Sequence, residues 1–200
     1  MSKTIALSDY DLATHEAKKC LLSDGLFIYP TDTLYGIGCN ALSSAAVNKI
    51  YSAKLRAQGK PLSVIMSDLQ MIRNYCIVSP QQEKILLSLL PGPYTFILKL
   101  KHKLPVSPTL EVGVRVPEHI FVRVLSKDLS IPIVSTSANL SGKKDTAKFS
   151  ELDTRVISQA DLLIDGGKCL YSQPSTVIDL IRMKIVRKGA IKKGDKFEWE

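Results

Sequence analysis

Five short stretches hold residue types suited to gripping anions and small polar ligands. They are Thr31-Asp32-Thr33, Lys54-Leu55-Arg56 with Lys60, Arg115, Ser135-Thr136-Ser137-Ala138-Asn139, and Ser175-Thr176. Lys54 and Arg56 stand one residue apart where a helix should be breaking. In an extended segment they point the same way, and two converging cations suit a phosphate. A solvated surface pair is the alternative. Arg115 sits in Val112-Gly113-Val114-Arg115-Val116-Pro117, a strand with no other polar side chain. A charge there must face solvent, pair, or bind an anion, because burying it bare costs several kcal/mol. The run from Ser135 to Asn139 carries four short polar side chains in five residues. A helix cap uses one or two of them, which leaves the rest for a ligand.

The stretch that organises the others is Leu26 to Gly38. Leu26-Phe27-Ile28-Tyr29 reads as a buried strand, which Pro30 stops because proline gives no N–H to a ladder. Thr31, Asp32 and Thr33 follow, then Gly36 and Gly38, where a backbone can turn or approach a ligand closely. A strand running into hydroxyls, a carboxylate and glycines builds a ligand site at a sheet's end; an ordinary turn is the alternative. Other chemistries lack their residues. There is no G-x-x-x-x-G-K-[ST] loop, no G-x-G-x-x-G after a strand and no G-x-S-x-G elbow. His15, His102 and His119 are isolated. Cys20, Cys39, Cys76 and Cys169 form no C-x-x-C pair and no zinc spacing, so they read as scattered reduced thiols.

Elements that could position these groups alternate along the chain. Helices are expected from Ser8, which would cap it with Asp11 as box partner, to Gly25; from Ser43 or Ser44 to about Lys54; from Asp68 to Tyr75; from Ser79-Pro80 to Leu90; from Glu118 to Leu125; and from Asp153 to Ala160. In the first, Leu12, Ala13, Ala17, Cys20 and Leu21 make the apolar stripe. Strands are expected at 26–29, 62–66, 94–100, 112–116, 131–134, 162–164, 175–180 and 184–187. The fold class is therefore α/β with a mixed sheet, in one domain spanning 1–200. The 200 residues are 45% hydrophobic, enough for a core, and carry a net charge of +8, which favours anionic partners. Cations cluster from Arg182 to Lys196. No apolar run is long enough to cross a bilayer and Met1 to Ile5 lacks a signal core, so a cytoplasmic protein with no membrane contact is expected.

Tyr-Pro-Thr-Asp-Thr-Leu-Tyr-Gly-Ile-Gly, Lys-x-Arg followed by Lys-Pro-Leu, Pro-Gly-Pro-Tyr-Thr, Val-Gly-Val-Arg-Val-Pro, Ser-Thr-Ser-Ala-Asn-Leu-Ser-Gly and Pro-Ser-Thr-Val-Ile-Asp occur in that order. Together they resemble the threonylcarbamoyl-AMP synthase family, the YrdC-like proteins, in its short single-domain form. The resemblance implies a twisted mixed sheet with flanking helices and a concave basic face. It implies an enzyme joining L-threonine, bicarbonate or CO2, and ATP into threonylcarbamoyl-AMP and pyrophosphate. Other proteins, threonylcarbamoyl transferases, then modify the tRNA adenosine beside the anticodon.

Motif by motif, the resemblance places Thr33, Arg115, Ser135 and Ser175 at threonine, with Arg115 on its carboxylate. It places Lys54, Arg56, Lys60, Ser137, Asn139, Asp145 and Arg187 at ATP, with Lys54 and Arg56 as catalytic groups. No carboxylate cluster encodes a metal cage, so Mg2+ is expected to arrive with ATP. The rival from another class is an RNA-binding module without catalysis, resting on the charge and the basic face; with aromatics at 6% of residues, base stacking has little to work with. Weak tRNA contact is compatible with catalysis. A third possibility is a related carbamoyl-transfer domain.

Overall fold

The computed structural model describes residues 2–55, 57, 59–140, 142–143 and 145–195. In chain order the elements are β1 (Lys3–Ala6), α1 (Tyr10–Leu22), β2 (Phe27–Tyr29), β3 (Gly36–Gly38), α2 (Ser44–Ala53), β4 (Ser63–Ile65), α3 (Leu69–Tyr75), β5 (Cys76–Ile77), α4 (Pro80–Leu89), β6 (Tyr94–Leu100), β7 (Glu111–Arg115), α5 (Ile120–Leu129), β8 (Ile133–Ser137), α6 (Thr154–Ile157), β9 (Leu162–Asp165), β10 (Thr176–Asp179) and β11 (Lys184–Arg187). The strands pair in the order β1-β9-β2-β3-β8-β4-β7-β6-β10-β11, with β5 added beside β6. Parallel and antiparallel neighbours alternate irregularly: β4 runs parallel to β7 but antiparallel to β8. The sheet is mixed, as expected.

Several boundaries follow from single capping groups. Ser43, Asp68 and Ser79 each accept a hydrogen bond from the third residue of the helix they open, and Ser79 forms a reciprocal box with Gln82. At α1 the cap is Asp9, which accepts from Leu12 N, and not Ser8. Leu12 itself is exposed; Ala13, Ala17, Cys20 and Leu21 make the buried stripe. The chain leaves α1 through Asp24, whose φ is 57°. Gly25 is needed for a close approach instead, since a Cβ there would lie 2.5 Å from Cys20 Sγ. The helix expected at 153–160 is only four residues long, and α5 starts and ends later than expected.

The larger core lies on one sheet face. It joins Ile28, Ile37, Val64, Val114, Val134, Phe96 and Ile178 to α2, α3 and α4 through Val47, Ile50, Ile72, Leu86 and Leu89. On the other face Phe27, Tyr29, Ile65, Ile133 and Ile164 pack against α1 and α5 through Ala17, Leu21, Phe121 and Leu125. Strand alternation continues that second face into small and polar residues. Ser63 pairs with Ser135, Gly36 with Ser137, and Arg115 lies two residues beyond Gly113. The helices do not cover this part of the sheet, and a hollow remains.

Three strands escaped the sequence reading, the two-residue β5 among them. β1 adds a parallel edge to β9, and β3 was read as a turn because it is Gly-Ile-Gly. Its glycines are required by packing. A Cβ on Gly38 would sit 2.3 Å from Val134 O and 2.9 Å from the Tyr29 ring, while Tyr29 Oη donates to Val134 O at 3.2 Å. Gly38→Ala should therefore destabilise the protein by about 2–4 kcal/mol, because the obstructing atom is backbone and cannot swing aside. Denaturant unfolding checks this; a loss below about 0.5 kcal/mol contradicts the packing argument.

Candidate functional site

The Pro30–Leu34 loop is fixed from within. Thr31 Oγ1 accepts from Thr33 N (3.1 Å) and Leu34 N (3.2 Å), donates to Leu34 O (2.7 Å), and lies 3.0 Å from Thr33 Oγ1. This hydroxyl replaces the ladder partners that the chain loses after Pro30. Next to it, buried Asp32 receives Arg115 Nη2 on Oδ1 at 2.7 Å and Glu118 N on Oδ2 at 3.0 Å. Its own carbonyl accepts Tyr171 N at 2.8 Å. Of the three fates open to Arg115, pairing is thus one, but the guanidinium also lines a cavity. Its Nε is buried and has no hydrogen-bond partner among the described residues.

That cavity measures about 370 Å³ and is bounded by Thr33, Ser63, Thr95, Gly113, Arg115, Ser135, Ser175 and Arg187, among others. Arg187 donates from Nε and Nη2 to Ser175 O at 3.2 and 2.8 Å, and from Nη2 to Ser175 Oγ at 3.2 Å. The same Ser175 hydroxyl is 2.7 Å from Thr95 Oγ1. Ser175 is therefore held in place just before β10. Burial lowers the Arg187 pKa below its ordinary value; the nearby Asp145 carboxylate opposes this and Arg115 adds to it.

A second hollow of about 560 Å³ adjoins the first and shares Thr136, Ser137 and Asp145 with it. Lys54, Lys60, Asn139 and Lys143 also line it. Lys54 follows the end of α2 and is buried. Its Nζ donates to Ser137 O, to Asn139 O at 2.7 Å and to Asn139 Oδ1 at 3.1 Å. Ser137 Oγ donates to Asn139 Oδ1 at 2.6 Å, and Asn139 Nδ2 donates to Asp145 Oδ1 at 3.1 Å and Lys143 O at 2.6 Å. The lysine organises the loop after β8 as well as charging the wall of the hollow. Lys60 is exposed at the rim.

The structure thus gathers Thr33, Arg115, Ser135, Ser175 and Arg187 in the first hollow, and Lys54, Lys60 and Asn139 in the second. Ser137 and Asp145 belong to both. Arg115 and Lys54 face adjoining hollows, not one. Arg56 lies outside the described residues. Ser135, Thr136 and Ser137 are not a loop or cap but the end of β8, so alternation turns Ser135 and Ser137 toward the same face. Sequence reasoning counted Asp32 among the ligand-site residues but did not see it as the partner of Arg115, and it gave no role to Thr95, Gly113 or Lys143. Thr95 and Gly113 had a signal: each lies on a strand two residues from another lining residue, Ile97 and Arg115. Five cations and one carboxylate line the two hollows among the described residues. This is a surface for anions.

Among the described residues no group of three or more His, Cys, Asp or Glu side chains could hold a metal, and no helix is long and apolar enough to cross a membrane. A family model for the Sua5/YciO/YrdC domain, described as "Telomere recombination", matches residues 19–189. The chain belongs to the Sua5/YciO/YrdC family. The putative threonylcarbamoyl-AMP synthase of Methanocaldococcus jannaschii is 41% identical to it over 192 residues, covering 91% of each chain. The Homo sapiens threonylcarbamoyl-AMP synthase is 36% identical over 174 residues, which are 80% of this chain and 61% of the human one. The P. abyssi Sua5 structure, solved in complex with L-threonine, superposes with a TM-score of 0.84 at 27% identity, covering 94% of this chain and 57% of the other. The chain thus spans less than two thirds of the human and P. abyssi relatives. The mixed sheet with flanking helices is the Sua5/YciO/YrdC fold.

The thiols are held in their neutral form by burial, Cys169 beside Thr31, Asp32 and Arg115 included. All four cysteines are free and buried. Burial pushes Cys20 and Cys76 up to about 12 and Cys169 to about 11, and raises Cys39 as well. Iodoacetamide at neutral pH should therefore modify the folded protein at least about 100-fold more slowly than a free thiol and leave its turnover unchanged. Mass spectrometry with a parallel assay checks this; loss of turnover in step with alkylation of one cysteine contradicts it.

Proposed function

We propose that this protein is an L-threonylcarbamoyladenylate synthase, converting L-threonine, bicarbonate or CO2, and ATP into threonylcarbamoyl-AMP and pyrophosphate. The observation that carries this most directly is the pair of adjoining hollows sharing Thr136, Ser137 and Asp145. One hollow contains Arg115, paired with Asp32, and Arg187 among hydroxyls, the setting for an amino acid's carboxylate. The other has lysines and an ordered Ser-Asn loop, the setting for a nucleotide's phosphates. The relatives named as this synthase support the same activity; nothing in the site favours an RNA-binding module instead.

In this scheme Arg115 takes the threonine carboxylate, with Thr33, Ser135 and Ser175 around the rest of the molecule. Lys54, Arg56, Lys60, Ser137 and Asn139 hold the phosphates, with Asp145 and Arg187 at the junction. Threonine's amine attacks the one-carbon unit; with bicarbonate, water leaves and a carbamate forms. A carbamate oxygen then attacks the α-phosphate and pyrophosphate departs. No enzyme nucleophile is used, so what the residues supply is alignment and positive charge. Mg2+ would come as part of the ATP substrate; among the described residues Asp145 is the one carboxylate that lines the two hollows. The product serves threonylcarbamoyl transferases acting on tRNA, with weak direct tRNA contact, in the cytoplasm.

Pyrophosphate release should require both L-threonine and bicarbonate. Release that proceeds unchanged without threonine overturns the proposal. Arg56→Ala should reduce turnover about 100-fold or more while leaving the unfolding midpoint in place, since a phosphate contact acts in the transition state. Full activity in that variant removes Arg56 from the phosphate site.

A further inference from the structure

We infer that Asp32 is a positioning residue, setting the guanidinium of Arg115 in the orientation that receives the substrate carboxylate. This rests on the assignment of the threonine carboxylate to Arg115. Asp32 is 2% exposed and cannot itself be the carboxylate's partner, since like charges repel. It is fixed at three points: Arg115 Nη2 and Glu118 N on its two carboxylate oxygens, and Tyr171 N on its carbonyl. Because the Glu118 and Tyr171 contacts are backbone N–H groups, the residue is tied to two other segments of the chain, by its carboxylate to one and by its main-chain carbonyl to the other. Among the described residues Asp32 is the one hydrogen-bond partner of the Arg115 side chain.

The geometry leaves a specific opening. A guanidinium offers five N–H donors in a rigid fork. Asp32 takes one at Nη2, while Nε is buried with no acceptor among the described residues. Nε is closed off from the cavity, so a ligand carboxylate there would meet the Nη donors that Asp32 leaves free. The ion pair is formally neutral, so Arg115 recruits the substrate through the direction of its remaining donors more than through net charge. A long side chain released from its anchor could turn toward Asp145, whose charge and that of Arg115 both reach Arg187. Holding it costs nothing at the moment of binding, which is what preorganisation supplies.

The contact is the same in bound substrate and in the transition state, so its loss should fall on KM and spare kcat. In Asp32→Ala the KM for L-threonine should rise about tenfold or more, with kcat within about twofold and the KM for ATP unchanged. In Asp32→Asn, which keeps an acceptor for Arg115 but turns a donor on Glu118 N, the rise should be about threefold. Discrimination between L-threonine and L-threoninamide as competing ligands should narrow in both. An unchanged threonine KM in a folded variant, or a loss confined to kcat or to ATP, overturns the inference. So does failure of the near-isosteric Asp32→Asn to fold, which would make Asp32 a purely structural residue. Arg115→Ala separates the underlying assignment. If that variant keeps the normal threonine KM, the carboxylate is not held by Arg115. If it loses threonine while Asp32→Ala does not, only the positioning role fails.

Discussion

An arginine among valines in the middle of a sheet has to be met by an opposite charge. Arg115 is met by Asp32, which is more deeply buried than the arginine itself. Removing one member of such a pair strands the other, at a cost of about 3–5 kcal/mol. The pair therefore constrains everything around it. The chain after β2 must leave the sheet at Pro30 and bring Asp32 back over the end of β7. The start of the segment before α5 must present Glu118 N, and the loop before β10 must present Tyr171 N. The cavity beside Arg115 is the space left between these obligations.

The sheet explains why that space stays open. Its two faces are covered by different helices, and on the face of α1 and α5 the covering is partial. Where helices press down, the strands offer Phe27, Ile65 and Ile133. Where they do not, the same strands offer Ser63, Gly113, Thr95 and Ser135. Small polar side chains keep the floor low and supply directional contacts, while the opposite face remains a continuous aliphatic core that holds the floor rigid. Thr95, Ser175 and Arg187 then tie the far wall to β10 and β11.

Charge does the remaining work. Two unit charges 4 Å apart interact by about 4 kcal/mol at an effective dielectric near 20, before desolvation is subtracted. A cluster of cations around phosphates can thus shift a barrier by several orders of magnitude without a covalent intermediate. The protein keeps such a cluster from dispersing by fastening it to the backbone. Lys54 holds the carbonyls of Ser137 and Asn139, and Asn139 in turn holds Asp145 and Lys143. The buried, raised thiols leave no competing nucleophile nearby.

The sequence by itself determined what is local. The capping groups at Ser43, Asp68 and Ser79, the strand from Tyr94 to Leu100 and the hairpin strand at Lys184–Arg187 each depend on residues within a few positions of one another. The family motifs also pointed to residues that line the two hollows, Thr33, Arg115 and Ser135 in one and Lys54 and Asn139 in the other. Only the tertiary structure decided the rest. β3 was invisible because two of its three residues are glycines, whose meaning lies in the Tyr29 ring and the Val134 carbonyl that crowd them. The serines of β8 read as a polar loop after a short strand until the sheet turned them onto one face. The partner of Arg115 stands 83 residues away. A pairing over that distance leaves no period or spacing in the chain, and it exists only once the sheet has brought the two segments together.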